Sequence, residues 1–101
     1  MIGADLTGLD LSGFDLTGAN LTRVDLSGAD LFQADLTEAN LTETILTWSN
    51  MTEANVGGAN LTGASLTGAN LAEVDLKDAI LTGAKLTDVI GADLTGALTD
   101  S

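Results

Sequence analysis

Residues 59–73 read Ala59-Asn60-Leu61-Thr62-Gly63, Ala64-Ser65-Leu66-Thr67-Gly68, Ala69-Asn70-Leu71-Ala72-Glu73. Small and large apolar residues recur every five positions, with polar residues between and after them. A helix face repeats every 3.6 residues and a strand face every 2, and neither keeps register with five. Heptads fail for the same reason. A five-residue period can instead turn a corner once per unit, sending Ala and Leu inward and the polar residues out. A single such unit cannot bury its Leu alone, so a core forms only when coils stack.

Stepping by five in both directions places seventeen centres between Leu6 and Leu86; fifteen are Leu, and the others are Met51 and Val56. Two residues before each centre, eleven of the seventeen are Ala, the exceptions being Leu9, Phe14, Val24, Thr44, Ser49 and Val74. The unit is Ala-Asp/Asn-Leu-Thr-Gly. It loses its spelling after Asp88: Val89-Ile90-Gly91 intervene before Ala92-Asp93-Leu94-Thr95-Gly96 resumes the pattern. Residues 1–101 therefore read as one domain, with regular repeats over 4–88 and a register slip followed by a C-terminal cap over 89–101. Leu9 and Phe14, bulky where Ala is usual, are expected to plug the base of the tube.

The units Ala4-Asp5-Leu6-Thr7-Gly8, Ala59-Asn60-Leu61-Thr62-Gly63 and Ala69-Asn70-Leu71-Ala72-Glu73 resemble those of the pentapeptide-repeat family, a likeness covering about five-sixths of the chain. The resemblance implies an all-β fold, a right-handed quadrilateral parallel β-helix of about four coils with short terminal caps. Right-handedness agrees with the general rule for parallel crossovers. Four units per coil bring every twentieth residue onto one face. The face of Leu6 and Leu26 carries Asp5, Asp25 and Asp88 against Lys85. The second carries Asp10, Asp30, Glu53 and Glu73, and the third Asp15, Asp35, Glu38, Asp75 and Asp78 against Lys77. The fourth has Asn20, Asn40 and Asn60, with Arg23 balancing Glu43.

Fifteen acids against three bases leave a net charge of −12. That balance argues against direct binding of nucleic acid or of an anionic membrane, both of which attract Lys and Arg. It suits an acidic surface offered to a basic protein partner. With no Cys and no His, thiolate metal sites and the commonest general base are missing. No catalytic constellation can be assembled, the chain does not read as an enzyme, and no cofactor is expected. Columns of carboxylates spread their oxygens instead of converging the six to eight that Ca²⁺ takes. The Asn-Leu-Thr sequons follow from the repeat itself. No basic, apolar leader begins the chain and no apolar run approaches spanning length, so the expected location is the cytoplasm.

Interaction surfaces are sought among residues that break the pattern. Ile45 and Trp48 share one unit at outward positions, and Phe32 stands outward on the neighbouring face one coil below. Trp48 has Gly28 below it and Gly68 above in its column, which leaves room for the indole to lie flat on the wall. The alternative is a partner-binding hot spot, for which Trp is favoured. With the acidic positions Asp10, Asp30, Asp15, Asp35, Glu38, Asp75 and Asp78, these residues form the candidate surface. Val89, Ile90, Leu94 and Leu98 are candidates to fold over the end of the tube or to bind a second copy there, giving an end-to-end homodimer. The resemblance implies one further reading, since some family members mimic B-form DNA and bind type II topoisomerases such as gyrase in its place. For so short a chain that reading requires end-to-end pairing.

Overall fold

The computed structural model describes residues 1–99. In each unit the centre carbonyl accepts the N–H of the residue three places on, as in Ala29 N–H to Leu26 O at 3.0 Å and Ala64 N–H to Leu61 O at 3.0 Å. The third residue of this turn has positive φ throughout, 69° at Gly63 and 60° at Glu73. A closing bond with a left-handed third residue is the type II turn, which explains the Gly-rich fifth place. Asp or Asn before the centre secures the same turn. Asn60 Oδ1 accepts the Thr62 N–H at 3.0 Å and the Thr62 hydroxyl at 2.6 Å. This short-range bond is the physical reason for the pairing of Asp/Asn with Thr/Ser two residues later.

Coils join through parallel rungs. The Leu41 N–H donates upward to Asn60 O at 2.7 Å, the Glu43 N–H upward to Thr62 O at 2.8 Å, and the Asn40 N–H downward to Ala19 O at 2.8 Å. Each side of the square pairs through one extended residue, so the sheet is a series of single bridges twenty residues apart, such as Asp25↔Ile45 and Asn40↔Asn60. The architecture is a right-handed quadrilateral β-helix measuring 31 × 23 × 22 Å. Its four sides are called faces 1 to 4, beginning with the units centred on Leu6, Leu11, Leu16 and Leu21.

The centres from Leu21 to Leu81 are buried to 3% exposure or less, and the small residues two places earlier fill the space between them. Full burial of each Leu is worth about 2 kcal/mol. Thr44 keeps this interior position by donating its hydroxyl to Leu21 O at 2.7 Å, whereas the buried Ser49 hydroxyl has no partner. Leu6, Leu11, Leu16 and Leu86 are half-buried at the ends. Leu9 and Phe14, expected to plug the base, are each about half exposed and are not among the residues packed against the core.

At the other end the structure departs from the spelling of the repeat. Val89 and Ile90 still follow the wall: the Ile90 N–H donates to Ala69 O at 3.0 Å, and Ile90 bridges Asn70. The chain then cuts the corner at Gly91 (φ 71°), where an added Cβ would stand 3.0 Å from Ala72 Cα. Leu98 bridges Ile80 eighteen residues earlier instead of twenty, so two residues are missing from the coil. The segment therefore extends the wall into a fifth coil and does not fold across the top. Ile90 and Leu98 occupy ladder positions on faces 2 and 4 of this last coil and remain exposed there. Of the four residues named for the end contact, Val89 packs against the core and Leu94 holds a centre position. Backbone bonds between coils, not the identity of the unit, set the register here.

Candidate interaction surface

The Asp columns lie in register on the wall, with Asp5 bridged to Asp25, Asp10 to Asp30 and Asp15 to Asp35. One oxygen of each acid is used within its own turn, as Asp35 Oδ1 accepts the Thr37 N–H at 3.0 Å and its hydroxyl at 2.5 Å. Hydroxyl donors first and backbone N–H groups second hold Asp5, Asp10, Asp15 and Asp35 below the usual carboxylate range. The opposing push of Asp35 on Asp15 is the smallest contribution at that site. At Asp15 the like-charge crowding is therefore outweighed by local hydrogen bonds. Higher up, Asn replaces Asp and caps the column, with Asn50 Nδ2 3.4 Å from Asp30 Oδ1.

Face 3 gathers part of the candidate set. Gly57 stands where Thr is usual and Gly58 follows it at the corner, between Glu38 and Asp78 in its column, and the missing side chains leave a depression of about 330 Å³ bordered by Glu38, Asp75, Asp78 and Lys77. Glu38 leans over its edge, its Cγ 3.3 Å from where a Gly58 Cβ would lie. Asp15 and Asp35 lie lower on the same face and do not border it, while Asp10 and Asp30 stand on face 2. A second cleft of about 540 Å³, between Val74, Leu76, Lys77 and Thr95, opens where the fifth coil is two residues short. Neither hollow was visible in the unit pattern; the Gly57-Gly58 pair signalled the first, and the slip near Gly91 the second. On face 4 Arg23 Nη1 lies 3.5 Å from Glu43 Oε1, both largely exposed, a pair that contributes little to stability.

The apolar exceptions separate. Phe32 is half-buried on face 2. Ile45 is 38% exposed and Trp48 67% exposed, the indole leaving the corner between faces 1 and 2. A Cβ added to Gly68 would come within 2.4 Å of Trp48 Cε3, so the ring rests on the bare Gly68 backbone. Gly68 alone among the corner glycines is buried, because the indole covers it. The interior itself is filled by Leu, Ala and Val, and any partner must be met from outside.

A family model described as "Pentapeptide repeats" matches residues 1–37, 19–58, 29–68 and 57–98. The chain belongs to the pentapeptide-repeat family. Among solved structures, a pentapeptide repeat protein from the thylakoid lumen of Arabidopsis thaliana is 30% identical with a TM-score of 0.85, the match covering 94% of this chain and 64% of that one. This pentapeptide-repeat chain thus spans less than two thirds of that relative's length. A pentapeptide repeat protein from Nostoc is 29% identical with a TM-score of 0.75, covering 95% of this chain and 84% of that one. Another, from the cyanobacterium Cyanothece, is 32% identical with a TM-score of 0.53, covering 99% and 86%. No curated protein matches the chain.

Proposed function

We propose that the protein is a non-catalytic interaction module that presents acidic walls to a basic protein partner. The observation that carries this reading is the division of the repeat. Its interior is consumed by apolar packing, while its outer rows hold exposed carboxylates, several of them fixed by hydrogen bonds within their own turns. Faces 2 and 3 form a continuous acidic surface containing Asp10, Asp30, Asp15, Asp35, Glu38, Asp75 and Asp78. Such a surface accelerates encounter with a basic partner and weakens that encounter with salt. The test is affinity retention from a bacterial lysate on the wild-type protein and on a variant with Asp10, Asp30, Asp15 and Asp35 changed to Asn. A basic protein held by the wild type at low salt, released at high salt and lost from the variant supports the reading. Equal retention by both overturns it.

Charge density favours one second reading. The repeat over residues 4–88 carries −10, and its coils, just over four at about 4.8 Å each, rise about 20 Å. Duplex DNA over that length carries about 12 charges. On this basis the protein acts as an acidic mimic of DNA toward a type II topoisomerase, paired end to end to gain length. A supercoiling assay with purified gyrase tests it: inhibition or protection at micromolar protein supports mimicry, and unchanged supercoiling removes it.

A further inference from the structure

The corner between faces 1 and 2 carries Gly8, Gly28, Trp48, Gly68 and Asp88 in one column. Above Trp48 the indole is seated on Gly68, so one ring face is fixed against backbone and the other looks outward. Below it the corner is bare, since a Cβ added at Gly28 or Gly8 would meet nothing within 4 Å. Two ladder columns border this glycine floor, Asp5 and Asp25 on face 1 and Asp10 and Asp30 on face 2. Ile45 extends the apolar edge beside the ring. The chain's own bases do not serve the indole: Arg23 meets Glu43 on face 4, Lys77 lies on face 3, and Lys85 stands two coils above Ile45 in the ladder.

We infer that Trp48 anchors a docking site for an arginine-bearing extended segment of a partner protein, one guanidinium stacking on the exposed indole and the next lying over Gly28 between Asp25 and Asp30. The inference rests on the acidic-wall reading above and assigns it a place. Charge complementarity selects the occupant, because a cation over an aromatic face gains from the ring quadrupole and four carboxylates deepen the field. Arg suits the site better than Lys, since its planar group both stacks on a ring and pairs in bidentate fashion with a carboxylate. Spacing fits an extended chain. From the level of Trp48 to that of Gly28 is one coil rise, about 5 Å, and alternate residues of an extended segment, about 6.6 Å apart, bring two flexible Arg side chains to those levels.

Trp48 is the sole tryptophan, so its emission reports the site directly. The probe is a synthetic peptide of alternating Arg and Ala at low salt, with Lys and Glu versions beside it. A saturable change in Trp48 emission is expected with the Arg peptide, a weaker one with Lys and none with Glu. By anisotropy of a labelled peptide, Trp48→Leu is expected to weaken binding about tenfold. The pair Asp25→Asn with Asp30→Asn, which leaves the core untouched, is expected to weaken it severalfold, and Asp75→Asn with Asp78→Asn less than twofold. A peptide bound equally by wild type, Trp48→Leu and the Asp25/Asp30 pair overturns this site and leaves the acidic-wall reading standing. Absence of binding to the wild type overturns both.

Discussion

At the scale of single residues, the turn dictates composition more strictly than the core does. Among the described residues, nine other than glycine occupy the left-handed corner position, including Gln33, Glu53 and Glu73. Each bears a Cβ conflict of about 1 kcal/mol that Gly avoids, partly offset by the greater unfolded freedom of Gly. Glu73→Gly is therefore expected to raise stability by about 0.5 kcal/mol and Gly83→Ala to lower it by about 1 kcal/mol, read from urea midpoints. The Asp–Thr bonds act through pH. The carboxyls of Asp5, Asp10, Asp15 and Asp35 are lowered in the folded state, chiefly by hydroxyl donors. Their contribution is complete above the unfolded value of about 3.9 and fades as pH falls through the lowered folded values. Stability is expected to fall on the acid side of pH 4, and Thr37→Val to raise the Asp35 pKa in an NMR titration while leaving neutral-pH folding intact. Position along the repeat made the core Leu residues and the outward Asp columns legible. The hydroxyl bonds were not legible, because a Thr that merely faces water and one that locks a turn are spelled alike.

At the scale of the coil, one unit is a corner and becomes stable only through its neighbours. Leu61 is 1% exposed at a centre, whereas Thr62 lies on the wall and bonds Asn60. Leu61→Asp is expected to unfold the protein by leaving a charge in an apolar stack. Thr62→Asp is expected to lower stability by about 1 kcal/mol, the loss of one hydrogen bond. Far-ultraviolet circular dichroism and thermal melts distinguish the two, and equal effects would contradict the assignment of inside and outside. The fifth coil shows where unit spelling misleads. Ile90 reads as part of a slip yet makes regular rungs to Ala69 and Leu71. Leu98 reads as a residue of the end yet sits in the ladder over Ile80. A rung joins residues about twenty apart, so the chain keeps pairing wherever it lies over the coil below, whatever its local unit.

At the scale of the molecule, a net charge of −12 belongs to a protein whose longest dimension is 31 Å. Self-repulsion among exposed carboxylates is screened within about 10 Å at 0.1 M salt. Raising sodium chloride from 10 mM to 0.3 M is expected to raise the melting temperature by several degrees, equivalent to about 1 kcal/mol; calorimetry across that series checks it, and a falling midpoint would show that the columns do not repel. The same screening should weaken any basic partner, so stability and binding are expected to move in opposite directions with salt. Sequence alone determined that Leu and Ala face inward and that Asp and Asn line the wall, because both follow from a five-residue corner; the twenty-residue coil came from the resemblance to the pentapeptide-repeat family. Tertiary structure decided the rest: the seat of Trp48 on Gly68, the hollow over Gly57 and Gly58, and the shortened fifth coil at Gly91. These depend on what lies one coil away. That is settled by hydrogen bonds and packing between segments about twenty residues apart, which no single unit encodes.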